Sequence, residues 1–145
     1  EGELHACFDL RRAVFIEEQE IPEAEEWDDA DAIATHFLAR DGTRPVGTAR
    51  LIPAGEVAKI GRVAVARSHR GTGLGLRLMR HVLDHARTDG FRTAALDAQL
   101  YAIPFYARLG FLAEGPEFDD GSGILHRHMR ADLSPAAEIA ANRGA

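Results

Sequence analysis

The chain carries a single cysteine, Cys7, which excludes an internal disulfide framework and suits a reducing compartment. It has no uninterrupted apolar run long enough to cross a bilayer. No signal-peptide pattern opens it, so a cytoplasmic location without membrane partners is expected. Gly-Lys-Ser and Gly-Lys-Thr are both missing, which rules out a P-loop. Repeats and low-complexity tracts are absent as well. Basic residues are outnumbered, 17 Lys and Arg against 23 Asp and Glu, for a formal charge of −6. That balance argues against nonspecific nucleic-acid binding and favours cationic partners such as amines.

What is present suits one globular domain. At 145 residues and 46% hydrophobic, the chain can bury a sizeable core. Residues 1–133 are expected to form that domain, and the alanine-rich residues 134–145 a loose C-terminal tail. Apolar spacing predicts a helix over Leu4–Val14 and a short second one over Phe15–Ile21, stopped by Pro22. The acidic stretch Glu23–Asp31 reads as a solvated loop. Strands are predicted at Ala32–Ala39, Val46–Ile52 and Val57–Val65, separated by turns at Asp41-Gly42 and Pro53-Ala54-Gly55. A helix from Gly73 to near Gly90, a strand Thr93–Asp97 and a helix Ile103–Leu109 follow. Two last strands start at Phe111 and Ile124. The order ααβββαβαββ defines a mixed α/β domain.

Ile60 to Leu78 is the most informative stretch. The apolar run Val63-Ala64-Val65 leads into Arg70-Gly71-Thr72-Gly73-Leu74-Gly75, and a helical pattern begins at once. Glycines admit a ligand close to the backbone, the first-turn N–H groups of a helix are unpaired, and the dipole favours an anion there. Arg70 adds a positive charge suited to a pyrophosphate. A dinucleotide fingerprint nearly fits, and Asp97 lies roughly 20 residues on, where a ribose-binding acid belongs. Gly71-x-Gly73-x-Gly75 nonetheless places its last glycine one residue short, and the loop falls mid-chain.

A third reading fits better. Arg70-x-x-Gly73-x-Gly75 resembles the Q/R-x-x-G-x-G/A motif of the GNAT superfamily of acyl-CoA N-acyltransferases. Gln99-Leu100-Tyr101-Ala102-Ile103-Pro104-Phe105-Tyr106-Ala107-Arg108-Leu109-Gly110-Phe111 resembles that family's N-x-x-A-x-x-F-Y-x-x-x-G-F pattern, with glutamine at the asparagine position. Val14-Phe15-Ile16-Glu17-Glu18-Gln19 is similar to the V-F-x-x-E-Q signature of the ElaA-like branch. Trp27-Asp28-Asp29-Ala30-Asp31, His36, Gly61-Arg62-Val63-Ala64-Val65 and Gly123–Met129 extend the match.

The resemblance implies a GNAT fold: a central, mostly antiparallel twisted sheet, helices on both faces, and a splayed strand pair that binds acetyl-CoA. The family's first strand precedes its first helix; here it is either upstream of Glu1 or absent. The implied activity is acetyl transfer from coenzyme A to a primary amine, by direct attack in a ternary complex and without a metal. The acceptor would be a small amine or a lysine side chain, and a homodimer is possible. Coenzyme binding would fall to Val63, Ala64, Val65, Arg70, Gly71, Thr72, Gly73, Leu74, Gly75, Gln99, Phe105 and Tyr106. A backbone N–H near Val63 would face the thioester oxygen. Gln99 would bond the pantetheine arm or the adjacent backbone.

Tyr106 is implied as the acid that protonates the thiolate, since a phenol of pKa about 10 keeps its proton at neutral pH. The base is less determined. Many relatives carry a glutamate early in the central strand, where this chain has Lys59 and Ile60, with Glu56 nearer the turn. Glu18, His36 and His126 are the candidates, with Glu17, Gln19 and Asp119 as neighbours; bulk water is a further acceptor for the proton. Arg62 is expected to pair with the acidic loop or with an acceptor carboxylate. His81 and His85 lie one helical turn apart without a third ligand, so they read as surface residues. The alternatives in function are a non-catalytic acyl-CoA-binding or sensing domain and a nucleotide-dependent oxidoreductase.

Overall fold

The structure is a computed structural model and describes residues 2–134. The expected tail lies outside these residues except for Ser134. Helix α1 (Gly2–Arg11) runs into a π-helical turn (Arg12–Glu18), a single short turn α2 (Glu23–Glu26) and a 3-10 turn (Asp29–Ala32). Strands β1 (Thr35–Asp41), β2 (Arg44–Ala54) and β3 (Val57–Val65) follow, then helix α3 (Leu74–Thr88) and β4 (Thr93–Gln99). The short helix α4 (Ile103–Ala107) and strands β5 (Leu112–Asp119) and β6 (Leu125–Asp132) complete the fold.

Two stretches differ from the sequence reading. The second helix forms as a wide turn from Arg12, in which the Gln19 N–H donates to Val14 O (3.1 Å). It closes where the Ile21 N–H donates to Phe15 O (2.9 Å), with Glu20 left-handed at φ 57°. The wide turn keeps the adjacent side chains of Val14 and Phe15 both buried. The first strand starts at Thr35 rather than Ala32, because Asp29–Ala32 closes a 3-10 turn ahead of it. Among the described residues no strand precedes α1.

One six-stranded sheet has the order β1-β2-β3-β4-β6-β5. Every neighbouring pair is antiparallel except β3 and β4. Helix α1 packs on β1, β2 and β3, and α3 packs on β2 and β3. Alternation along β2 assigns the faces. Ala49 and Leu51 join Leu78, Met79, Val82 and Leu83 of α3 in the main core, while Thr48 and Arg50 turn to the α1 side. Each fully buried aliphatic side chain on α3 stabilises by about 1.5–3 kcal/mol, so this face anchors the helix.

A bulge in β3 then reverses the pattern. Gly61 pairs with Arg50 and Ala64 with Thr48, which leaves one extra residue on β3. Arg62 occupies the bulge in the left-handed region, φ 49°. Past it, Val63 packs against the main core, while Ala64 joins Val14, Phe15 and Ile21 in a second cluster.

Candidate active site

β3 and β4 run parallel but share a ladder only from Val57–Lys59 to Thr93–Ala95. Beyond that register they diverge, and on their facing edges Ile60–Val65 and Leu96–Gln99 have no strand partner among the described residues. Two rows of backbone donors and acceptors therefore face a gap that an extended, amide-bearing ligand can fill. The splay that the resemblance implied is present.

The loop after β3 lies at the mouth of this gap. Gly71 (φ 77°) and Gly73 (φ 85°) both take the left-handed conformation that glycine adopts without strain. The first helical bond of α3 runs from the Arg77 N–H to Gly73 O (3.1 Å), and no side chain caps the helix. The first-turn N–H groups are thus available to an anion. Thr72 Oγ1 donates to His69 O and holds the turn. A Cβ added at Gly75 would lie 3.2 Å from Phe105 and 3.7 Å from Val65, so strand, loop and α4 converge there.

Arg70 lies at the rim of the loop, half exposed. Its Nε donates to Val65 O (3.0 Å), and its terminal nitrogen Nη2 is 2.8 Å from Glu18 Oε2. Arg67 approaches the same oxygen at 3.6 Å. The sequence reading missed Arg67, although a second arginine three positions before Arg70 was a readable signal. Glu18 is thus held against the loop. His36 faces away: its Nε2 contacts Asp31 O (3.0 Å) and its ring packs edge-on to Phe8.

Gln99 ends β4. Its amide bonds neither an adjacent backbone group nor a neighbour in sequence, but Gln19, through two reciprocal bonds of 2.9 and 3.2 Å. Tyr106 is buried on α4 between the rings of Phe105 (5.0 Å) and Phe111 (5.9 Å). Burial, with a smaller contribution from Tyr101, pushes its phenol well above the ordinary value of 10. Its hydroxyl has no protein hydrogen-bond partner among the described residues.

His126 pairs in register with Gln99 and is buried. Its Nδ1 lies 2.7 Å from Ile124 O, which fixes the proton on that nitrogen in the neutral ring and leaves Nε2 as the acceptor. The Asp120 carboxylate is 3.5 Å from Nε2, and Phe118 stacks on the ring. Burial raises the Asp120 carboxyl, but bonds from Ser122 and the nearby His126 outweigh it, and the net shift is downward. Asp119 is occupied otherwise: it accepts the Gly121 and Gly123 N–H groups (2.9 and 3.0 Å) and shapes the β5–β6 loop.

The acidic stretch is not simply solvated. Glu26 is buried, 2.8 Å from Arg11 Nε and 3.2 Å from Arg62 Nε. Asp31 bonds Arg11 and Arg50 (2.8 and 2.9 Å), and Asp28 bonds Arg50 (2.7 Å). Arg62 thereby pairs with the acidic loop. Burial pushes the Glu26 carboxyl up despite its arginines, whereas bonding to Arg50 pulls Asp28 down to about 2. His81 and His85 pack edge-on to Phe37 at 6.0 and 5.2 Å. The described residues contain no cluster of three or more His, Cys, Asp or Glu placed to hold a metal, and no helix long and apolar enough to cross a membrane.

Comparison with known proteins agrees with this geometry. Residues 4–111 match the acetyltransferase (GNAT) family. The chain is 36% identical to the uncharacterized N-acetyltransferase YjcF of Bacillus subtilis, over 91% of this chain and 94% of the relative. It superposes on the crystal structure of Escherichia coli ElaA with a TM-score of 0.81, at 28% identity and 90% coverage of each chain. An acyl-CoA N-acyltransferase from Pseudomonas aeruginosa gives a TM-score of 0.80 at 30% identity, covering 89% of this chain and 90% of that one. Splayed strands, glycine loop and second motif occur here in one fold and in family order, and this chain belongs to the acetyltransferase (GNAT) family of transferase enzymes, in its ElaA-like branch.

Proposed function

We propose that this protein moves an acetyl group from acetyl-CoA to a primary amine by direct attack in a ternary complex. The observation that carries the reading is the pair of unpaired strand edges, Ile60–Val65 and Leu96–Gln99, opening beside the uncapped start of α3. Residues 1–133 act as one transferase domain. The loop from Arg70 to Gly75 holds the pyrophosphate through backbone N–H groups and the guanidinium. Val63, Ala64 and Val65 offer backbone pairing to the pantetheine arm, and Phe105 and Tyr106 close the groove from α4. Acetyl-CoA supplies an activated acyl carbon and a thiolate leaving group.

The chain's own contribution is positioning, polarisation and two proton transfers. A backbone N–H at Val63 faces the thioester oxygen and stabilises negative charge there. His126 accepts the proton from the attacking amine at Nε2, and Asp120 stabilises the imidazolium that forms. Tyr106 gives its phenolic proton to the departing sulfur; its free hydroxyl and raised pKa keep that proton in place at neutral pH. Glu18 is already engaged by Arg67 and Arg70, so the base role passes to His126. The chain's charge of −6 favours a cationic acceptor, a small amine or a lysine side chain.

Calorimetry with acetyl-CoA tests the reading, with NAD and ATP as controls. The expected result is micromolar binding of acetyl-CoA alone, weakened by Arg70→Ala, followed by thiol release when amines are supplied. Absence of binding to the unaltered protein overturns it.

A further inference from the structure

We propose that Glu18 is the internal counter-ion of the coenzyme loop, competing with the pyrophosphate for Arg70 and setting the protein's affinity for the coenzyme. This rests on the coenzyme reading of the loop. Three observations carry it. First, one carboxylate oxygen of Glu18 contacts both loop arginines, at 2.8 Å from Arg70 and 3.6 Å from Arg67. Second, Arg70 has little freedom to serve elsewhere, because its Nε is committed to Val65 O at 3.0 Å. Third, the Glu18 backbone is fixed. It ends the π-helical turn, the Ile21 N–H closes that turn on Phe15, and the next residue, Gln19, is tied to Gln99.

A pyrophosphate on Arg70 therefore meets a second anion across the same guanidinium. Like charges at such separations repel, and the π-helical turn cannot carry Glu18 away without breaking the Gln19–Gln99 bonds. Relief comes only from rotation of the Glu18 side chain out toward solvent, exchanging one anion for another on the two arginines. The loop keeps a partner for its positive charge in both states. The coenzyme pays for the exchange in affinity. Arg67 and Arg70 are substantially exposed, so the effect is moderate and sensitive to salt.

Glu18→Gln preserves shape and removes the charge. Calorimetry on the full chain at low ionic strength should find acetyl-CoA bound more tightly, on the order of fivefold. The gain should shrink at high salt and be smaller in an Arg70→Ala background, where Glu18 keeps only Arg67. Inorganic pyrophosphate is the second probe, since it needs neither the pantetheine groove nor an acceptor; it should gain in parallel. Unchanged or weaker binding of both probes by a Glu18→Gln protein with unaltered thermal stability overturns the proposal, and Glu18 then orients Arg70. If pyrophosphate tightens while acetyl-CoA binds neither protein, the counter-ion role stands and the acetyltransferase reading fails.

Discussion

Gln19 and Gln99, eighty positions apart, exchange two amide hydrogen bonds of 3.2 and 2.9 Å. Together with the Glu18–Arg70 pair, this contact makes the end of the π-helical turn touch both arms of the splayed strands. Glu18 holds the loop that follows β3, and Gln19 holds the end of β4. Truncating either glutamine leaves a half-buried amide with fewer partners. Gln19→Ala and Gln99→Ala should each cost about 1 kcal/mol. Their double variant should cost less than the sum, because the second change removes a bond already lost. Urea denaturation of the four proteins measures the cycle, and strict additivity would mean that the pair contributes nothing as a pair.

Gly73 lies in the left-handed region at φ 85°, immediately before α3, and open space surrounds the place its Cβ would take. Alanine there meets no clash, so its cost is conformational, about 1 kcal/mol. Gly73→Ala should lower stability by that amount and weaken acetyl-CoA binding more than tenfold, since relaxing φ moves the N–H groups of the loop. Gly2→Ala serves as a control: it also opens on free space but has no positive φ. Equal affinity of the Gly73→Ala protein would detach the loop's conformation from anion binding.

The loop was legible in the sequence because its chemistry is local. Arg70, Gly71, Gly73 and Gly75 specify a backbone shape within six residues, and α3 follows with its own periodicity. The splay was legible only through resemblance, since a missing ladder between β3 and β4 leaves no mark in either strand's composition. The pairing of charges was not legible. Glu26 and Glu23 look alike in sequence, yet Glu26 is buried between Arg11 and Arg62 while Glu23 bonds the exposed Arg12. The Gln19–Gln99 contact was not legible for a related reason: a side-chain amide accepts whichever amide the fold brings to it, and Gln19 arrives through a π-helical turn that periodicity reads as an ordinary helix.

Asp28 and Arg50 give the acid response of the fold. Arg50 is buried and bonds both carboxylate oxygens of Asp28, at 2.7 and 2.8 Å, which lowers that carboxyl from 3.8 to about 2. A depressed folded-state pKa contributes stability that is present above the unfolded value and lost as pH falls through the folded one. The contribution should therefore be complete above pH 4 and disappear between about pH 4 and pH 2. Asp28 is partly solvated, so Asp28→Asn should cost no more than about 1 kcal/mol at neutral pH. Guanidinium denaturation at pH 6 and pH 2 should find the two proteins different at the first and nearly equal at the second. A constant gap would assign the effect to packing.

Tyr106 separates catalysis from binding. Its hydroxyl has no hydrogen-bond partner among the described residues, so Tyr106→Phe removes a proton donor while leaving the packing against Phe105 and Phe111 in place. Loss of a positioned acid costs about 10²–10⁴ in rate. Turnover should fall within that range, while the Kd for acetyl-CoA stays within about twofold. A protein that only binds acyl-CoA would show no turnover to lose. The raised pKa adds a second readout. The folded phenol keeps its proton above pH 10, so kcat should show no alkaline fall from Tyr106 up to that pH. Stability should respond in the opposite direction from Asp28. The unfolded tyrosine ionises near 10 and the folded one later, so the stabilisation is full below about pH 10 and declines as pH rises beyond it. Tyr106→Phe should flatten that alkaline decline. If turnover falls but the decline persists, the ionisation responsible belongs to another group, and Tyr106 acts as the acid without governing alkaline unfolding.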